Sequence, residues 1–253
     1  MFFVGRWRDK GTPNRVPQQE SRHRVVKRFF SLEKDSFFIL GIDEAGRGPV
    51  VGPLVICGVL LSQSKLGELL GRGIKDSKLL SSSRRQTLKG EIESLAEGVE
   101  MVIISPSEID NCNMGDLELK GMAKIINRFL PDQVFVDAPT SRPLSYERKI
   151  RSLLFSKLRV ELVVENRADK NYPIVGAASI LAKVERDRRV RLLEKKYGTL
   201  GSGYPSDPRT IGFLRNYFRL YGDFPTVVRR RWRTIQKLKE EKLVRKGGNR
   251  DDY

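Results

Sequence analysis

Asp43 and Asp137 each close a run of apolar residues ("FFILGID" and "VFVD"), Glu44 follows Asp43 directly, and Asp169 stands in "ENRADKNYP", just past a third apolar run. A carboxylate at the end of a buried strand is costly unless it is paired or binds a cation. In open α/β sheets the carboxyl edge of the strands is where ligands bind, so parallel neighbouring strands would bring these acids together. Clustered carboxylates repel unless a cation sits among them, and an all-oxygen donor set selects hard ions such as Mg²⁺ or Mn²⁺. Two such ions about 3.5–4 Å apart clamp the attacking and leaving oxygens of a phosphodiester, the arrangement of nucleases and polymerases. Taken singly, an Asp at any of these positions also suits a helix cap or a turn. The chemistry requires the four acids to converge.

Three further segments could meet an anionic substrate. In "AGRG", directly after the acidic pair, Gly46 and Gly48 flank Arg47 and let backbone N–H groups approach a phosphate chain, although the same residues also make a tight turn. The segment is neither a Walker A sequence nor a dinucleotide fingerprint. In "IKDSKLL" Asp76 and Ser77 suit a helix cap, with Lys78 placed to reach a phosphate. Tyr204, between Gly203 and Pro205, sits in a rigid turn from which it could stack on a sugar or base, or pack on the helices that follow. The basic runs "VVRRRWR" and "QKLKEEKLVRK" read either as solvated helix faces or as a backbone-tracking patch around Trp232.

Composition narrows the chemistry further. A chain of 253 residues holds one large domain, or a domain with a small appendage. With 39% apolar and 31% charged residues and no apolar run near the roughly 20 residues of a membrane span, it reads as a globular protein. Arg6 and Arg8 follow the apolar Met1–Val4 too soon for a secretory signal, so a cytoplasmic location is expected. Two cysteines and one histidine, His23, exclude a disulfide framework, a zinc finger and histidine-based triads. The net charge of +17 points to a polyanion. Residues 1–36 carry +5 of it and residues 226–253 carry +6, so both ends are basic arms around a milder middle.

The elements that must position these residues alternate. Apolar runs predict strands over Phe37–Ile42, Leu54–Leu61, Met101–Ile104, Gln133–Asp137 and Val160–Val164. Helical spacing marks Ser81–Leu95, Gly115–Leu130, Pro143–Phe155 and Pro173–Tyr197, the last with an Ala-rich buried half and a charged, wet half. This predicts an α/β layer structure with a partly parallel sheet and an antiparallel opening pair. Residues 1–36 read as a disordered basic leader outside the fold, 37–197 as the catalytic domain, and 198–253 as a C-terminal helical region beyond the turn-rich Leu200–Arg209, with helices near Thr210–Tyr221 and Arg231–Val244.

The segments "GIDEAGRGPVVGPLV", "DSKLL", "VFVDAP", "ADKNYPIVGAASILAKVERDR" and "GSGYPSDPRT", in order from Phe38 to Thr234, together resemble ribonuclease HII, the type 2 ribonuclease H family. "GSGYPSDPRT" and "VVRRRWRT" resemble its archaeal and eukaryotic branch. The resemblance implies a ribonuclease H-like fold with a mixed five-stranded sheet flanked by helices, plus a C-terminal helical region. It implies metal binding and catalysis by Asp43, Glu44, Asp137 and Asp169, sensing of a ribose 2′-hydroxyl by the backbone of Gly46, Arg47 and Gly48, and stacking by Tyr204. Lys78, Ser179 and Lys183 fall on positions expected near the substrate backbone. The implied reaction is hydrolysis of RNA in RNA–DNA hybrids, and 5′ of ribonucleotides embedded in duplex DNA, with two Mg²⁺ or Mn²⁺ ions, giving 5′-phosphate and 3′-hydroxyl ends. A monomer is expected, although eukaryotic relatives act with two accessory subunits. The rival readings are ribonuclease HIII, which adds an N-terminal substrate-binding domain, and a non-catalytic basic binding protein.

Overall fold

The computed structural model describes residues 37–74 and 80–247, the side chains of 242–247 excepted, so the leader 1–36 and Lys78 lie outside the described residues. Two long apolar runs form the centre of the sheet. Strand β1 (Phe38–Ala45) pairs antiparallel with β2 (Leu54–Ser62), Phe38 opposite Ser62 and Ala45 opposite Val55. Strand β3 (Gly98–Ile104) adds antiparallel to β2. On the other side β4 (Gln133–Asp137) lies parallel to β1, and β5 (Glu161–Glu165) parallel to β4. The order is β3-β2-β1-β4-β5, a mixed five-stranded sheet.

Eight consecutive residues of β2, Leu54–Leu61, are buried, so both faces of the sheet must be covered. Between the strands run α1 (Leu66–Gly71), α2 (Ser82–Leu95), α3 (Pro106–Asn111), α4 (Met114–Phe129), α5 (Pro143–Arg151) and α6 (Ala168–Asn171). Helix α7 (Pro173–Tyr197) covers the face of Val55, Cys57, Val59 and Leu61 with the apolar residues Ile174–Ala182. Helix α4 covers the opposite face, where Ile125 packs on Gly58 and Gly121 on Ile56. The start of α7 passes so close to β1 that a side chain at Gly41 would overlap the carbonyl of Ile174. That approach brings the next residues of α7 against the carboxyl end of β1.

After the turn-rich stretch come α8 (Pro208–Tyr221) and α9 (Arg233–Gly247). Leu200, Leu214, Phe224, Val228, Ile235 and Leu238 share a buried cluster with Val50 and Val51 of the β1–β2 connection. An antiparallel bridge pairs Val51 with Val228.

The elements differ from the sequence reading at several points, β3 among them, which begins at Gly98 rather than Met101 because its pairing with β2 extends to Leu60. Strand β1 runs on through Asp43 and Glu44 to Ala45, because the pairing with β2 continues past the acids. Helix α5 ends at Arg151, short of Phe155. Helices α1, α3 and α6 have six, six and four residues, too short to show a periodicity. For α3 the sequence does carry a signal, the Ser105-x-x-Glu108 capping box, whose reciprocal hydrogen bonds both form.

Candidate active site

Ile42 stands opposite Val136 in the parallel pair β1–β4, so the next residues of the two strands, Asp43 and Asp137, emerge side by side at the carboxyl edge. Asp137 accepts a hydrogen bond from the backbone N–H of Ala168 (3.0 Å), the first residue of α6, and Asp169 is the second residue of that turn. Asp43, Asp137 and Asp169 thereby each offer a carboxylate oxygen within 4.8 Å of the others. Asp43 and Asp169 are buried, and Asp137 is half-buried.

Glu44 carries the same sequence signal as Asp43 but lies on the other face of the sheet, since successive side chains of a strand alternate. Its Oε2 is shielded from solvent with no hydrogen-bond partner among the described residues. On that face stands an acid the sequence reading passed over. Glu118 of α4 is 0% exposed and pairs with Arg47 Nη1 at 3.1 Å. It lies one turn before Met122, on the buried stripe of α4 with Leu119, Ile125 and Ile126. An acid in an otherwise apolar stripe is the signal that could have found it.

Burial moves Asp43, Glu44 and Glu118 in one direction. It pushes Asp43 up to about 7, helped by the charge of Asp137 and opposed by a hydrogen bond from Ser179. Burial likewise raises Glu44 well above the usual range, reinforced by Asp43 and Glu118 and relieved by Arg47. It raises Glu118 to about 7 against the opposing charges of Arg47 and Arg229. Three crowded oxygens from aspartates fit a hard divalent cation, whose charge would offset this desolvation, while Glu44 stands outside that triad and feels the charges of Asp43 and Asp137. Ser179 and Lys183 of α7 meet the same cluster. Lys183 Nζ donates to Ser179 Oγ at 2.8 Å, and both act on Asp43.

The Gly46–Gly48 loop next to the acids is held from below by a residue far along the chain. Arg229 is 0% exposed and donates from Nη2 to Gly46 O (2.6 Å), from Nη1 to Arg47 O (3.0 Å) and from Nε to Gly52 O (3.0 Å). Trp232 Nε1 donates to Gly48 O at 3.2 Å, and the Arg229 guanidinium lies 4.9 Å from its ring centroid. Gly46 takes φ = +100°, and a Cβ there would stand 2.7 Å from Pro53 O, which only glycine avoids. Tyr204 reaches the loop from the other side. A Cβ at Gly48 would be 3.3 Å from its ring. The turn carrying Tyr204 is docked by Val50 and Val51 N–H groups on Gly203 O, and Arg186 underlies the ring at 5.2 Å while donating to Ser202 O.

Two expectations about charge are thereby corrected. Arg229 is not part of a solvated face or a backbone-tracking patch, because its donors are taken up by buried carbonyls, and Arg230 is paired with Asp223. Arg186 belongs to the charged half of α7 yet is buried, since Ser202, Asp187 and the Tyr204 ring engage its guanidinium.

A mixed five-stranded sheet with helices on both faces, and three carboxylates converging where its parallel strands end, defines a metal-dependent nuclease of the ribonuclease H-like fold. The sequence profile of ribonuclease HII matches residues 40–235. Ribonuclease HII of Thermococcus onnurineus is 41% identical over 211 residues, covering 82% of this chain and 92% of that protein. The crystal structure of the ribonuclease H2 from Pyrococcus horikoshii superposes with a TM-score of 0.76 at 40% identity, covering 81% of this chain and 98% of the other. Ribonuclease HII in the PCNA complex from Archaeoglobus fulgidus gives 0.72 at 39% identity, over 79% and 96%. The chain belongs to the ribonuclease HII family, whose members are metal-dependent endoribonucleases.

Proposed function

We propose that this protein is a monomeric cytoplasmic endonuclease that hydrolyses the RNA strand of RNA–DNA hybrids and cuts 5′ of ribonucleotides embedded in duplex DNA. The reaction uses two-metal-ion catalysis with Mg²⁺ or Mn²⁺ and leaves 5′-phosphate and 3′-hydroxyl ends. The observation that carries the reading is the convergence of Asp43, Asp137 and Asp169 beside a glycine–arginine–glycine loop faced by a tyrosine. Asp43, Glu44, Asp137 and Asp169 hold the ions. When bound, these supply a nucleophilic water at neutral pH and charge stabilisation for the departing 3′-oxygen.

The chain's own groups select and orient the substrate. Arg229 and Trp232 consume the carbonyls of Gly46, Arg47 and Gly48. The loop is therefore rigid where it meets the sugar whose 2′-hydroxyl distinguishes RNA from DNA. Tyr204, 39% exposed over Gly48, stacks at the junction between ribonucleotide and DNA. Ser179 and Lys183 keep Asp43 oriented next to the substrate backbone. Lys78 is assigned to a phosphate by the family resemblance. The C-terminal region, residues 198–253, carries Tyr204 and part of the basic surface that binds the flanking duplex.

The test uses the purified chain and three labelled duplexes: all-DNA, DNA with one ribonucleotide, and a full RNA–DNA hybrid. Cleavage 5′ of the single ribonucleotide and within the hybrid, lost in EDTA and absent on all-DNA, is expected with Mg²⁺ or Mn²⁺. Tight, salt-sensitive binding without any product would instead identify a binding protein, or one that needs accessory subunits.

A further inference from the structure

Arg47 pairs with the buried Glu118 and also acts on the half-buried Glu44. Its Nη1 stands 3.1 Å from Glu118 Oε2, and among the described residues Arg47 makes its ion pair with Glu118, not with Glu44 three residues before it. Glu44 is nevertheless within reach of the same charge, since Arg47 favours its ionised form while Glu118 opposes it. The Oε2 of Glu44 and both carboxylate oxygens of Glu118 are shielded from water and lack hydrogen bonds among the described residues. One guanidinium thus acts on two acids, and the acid it touches decides which one is left open.

The main chain of Arg47 has no freedom to settle the matter, because its carbonyl is fixed by Arg229. The freedom to turn from one acid to the other lies in the side chain, which is 34% exposed. Glu118 is the fixed part: α4 is seated on β2 at Gly121 and Gly58, where side chains of Ile56 and Ile125 fill the contact.

We propose that Glu118 is a positioning residue that holds the Arg47 guanidinium away from Glu44, leaving the Glu44 carboxylate open to a divalent cation. The proposal rests on the reading of Glu44 as a metal ligand. Without the Glu118 charge, Glu44, which already feels Arg47, is the acid left to attract it, and a guanidinium docked there competes directly with the cation. A buried ion pair whose role was only structural would alter folding stability and leave metal affinity alone.

The experiment is a Mn²⁺ titration of the full chain by calorimetry, without nucleic acid, with circular dichroism to confirm folding. In Glu118→Gln the half-saturating Mn²⁺ concentration should rise by about 10–100-fold. Adding Arg47→Ala should bring it back to within about twofold of wild type, because the competing cation is gone. Wild-type affinity in folded Glu118→Gln, or a double variant no better than the single one, would overturn the proposal. Should Glu118→Gln not fold, Glu118→Asp keeps the charge one carbon shorter and should show a smaller loss, again relieved by Arg47→Ala; unchanged affinity there overturns the proposal equally. Asp137→Asn separates the two levels. If wild type takes up no Mn²⁺, or takes it up as well as Asp137→Asn does, the metal-site reading itself fails and this inference falls with it.

Discussion

Replacing Arg229 with methionine removes three hydrogen bonds at once from a side chain with no exposed surface, and leaves the carbonyls of Gly46, Arg47 and Gly52 without their donor. Desolvation lowers the guanidinium to about 10, which leaves it charged at neutral pH, so all three bonds are charge-assisted. At about 1.5–3 kcal/mol each, their sum sets a ceiling near 4.5–9 kcal/mol. Methionine fills much of the volume and the loop can relax toward water, so the expected loss is nearer the ~3–5 kcal/mol typical of breaking a buried charged contact. For a domain of this size each kcal/mol lowers Tm by about 2–4 °C, which gives a fall of roughly 6–20 °C. Because the freed loop is the one proposed to meet the ribose, kcat/KM on the single-ribonucleotide duplex should also drop by about 100-fold. Thermal melts followed by circular dichroism and steady-state cleavage at a temperature well below both midpoints measure the two effects separately. A Tm within about 3 °C of wild type together with cleavage within about twofold would refute the idea that Arg229 holds the loop.

Asp137→Asn keeps the volume and the acceptor for the Ala168 N–H but removes one charge of the proposed metal site, so cleavage should vanish while hybrid binding in a gel-shift assay stays near wild type. Gly46→Ala places a methyl 2.7 Å from Pro53 O on a backbone at φ = +100°, and should cost about 1–3 kcal/mol in chemical denaturation together with most of the activity; a neutral result would mean the loop is more plastic than described. The buried acids also set a pH dependence. Asp43 and Glu118 are raised from ordinary values of 3.8 and 4.5 to about 7, and Glu44 is raised too, so the folded protein retains protons that the unfolded chain has released over that range. In EDTA, stability should therefore fall as pH climbs from about 4.5 through 7, and Mn²⁺ should raise Tm more at pH 8 than at pH 5.5, as scanning calorimetry would show. A flat or rising Tm in EDTA would count against these assignments.

The strands that matter most were legible because each is a short apolar run ended by an acid. The parallel neighbours β1 and β4 then place Asp43 next to Asp137, as their register requires. Asp169 was legible as an acid past a strand, but not as part of a four-residue helix whose first N–H is held by Asp137, a contact across 31 residues. The pair Asp43-Glu44 shows a limit of another kind: adjacent acids look equivalent in a sequence, and the alternation of a strand sends them to opposite faces. Arg186, Arg229 and Trp232 sit inside basic runs, where counting charge treats every member as solvated. Only the fold reveals that two of the arginines are buried under the loops they support. Lys78 and the leader 1–36 lie outside the described residues.

The support of the Gly46–Gly48 loop comes from residues 182 to 184 positions later in the chain. Synthesis proceeds from the N-terminus at about 5–20 residues per second, so β1 and its acids leave the ribosome many seconds before Arg229 and Trp232 do. A nascent chain can pair β1 with β2 and even gather the three aspartates, yet its loop has no donors for its carbonyls until the last helical segment arrives. Contacts this distant in sequence are also the slowest to form in refolding. Activity should therefore appear late, after the sheet is complete, and a half-made chain would hold the acids of a nuclease without the supported loop beside them.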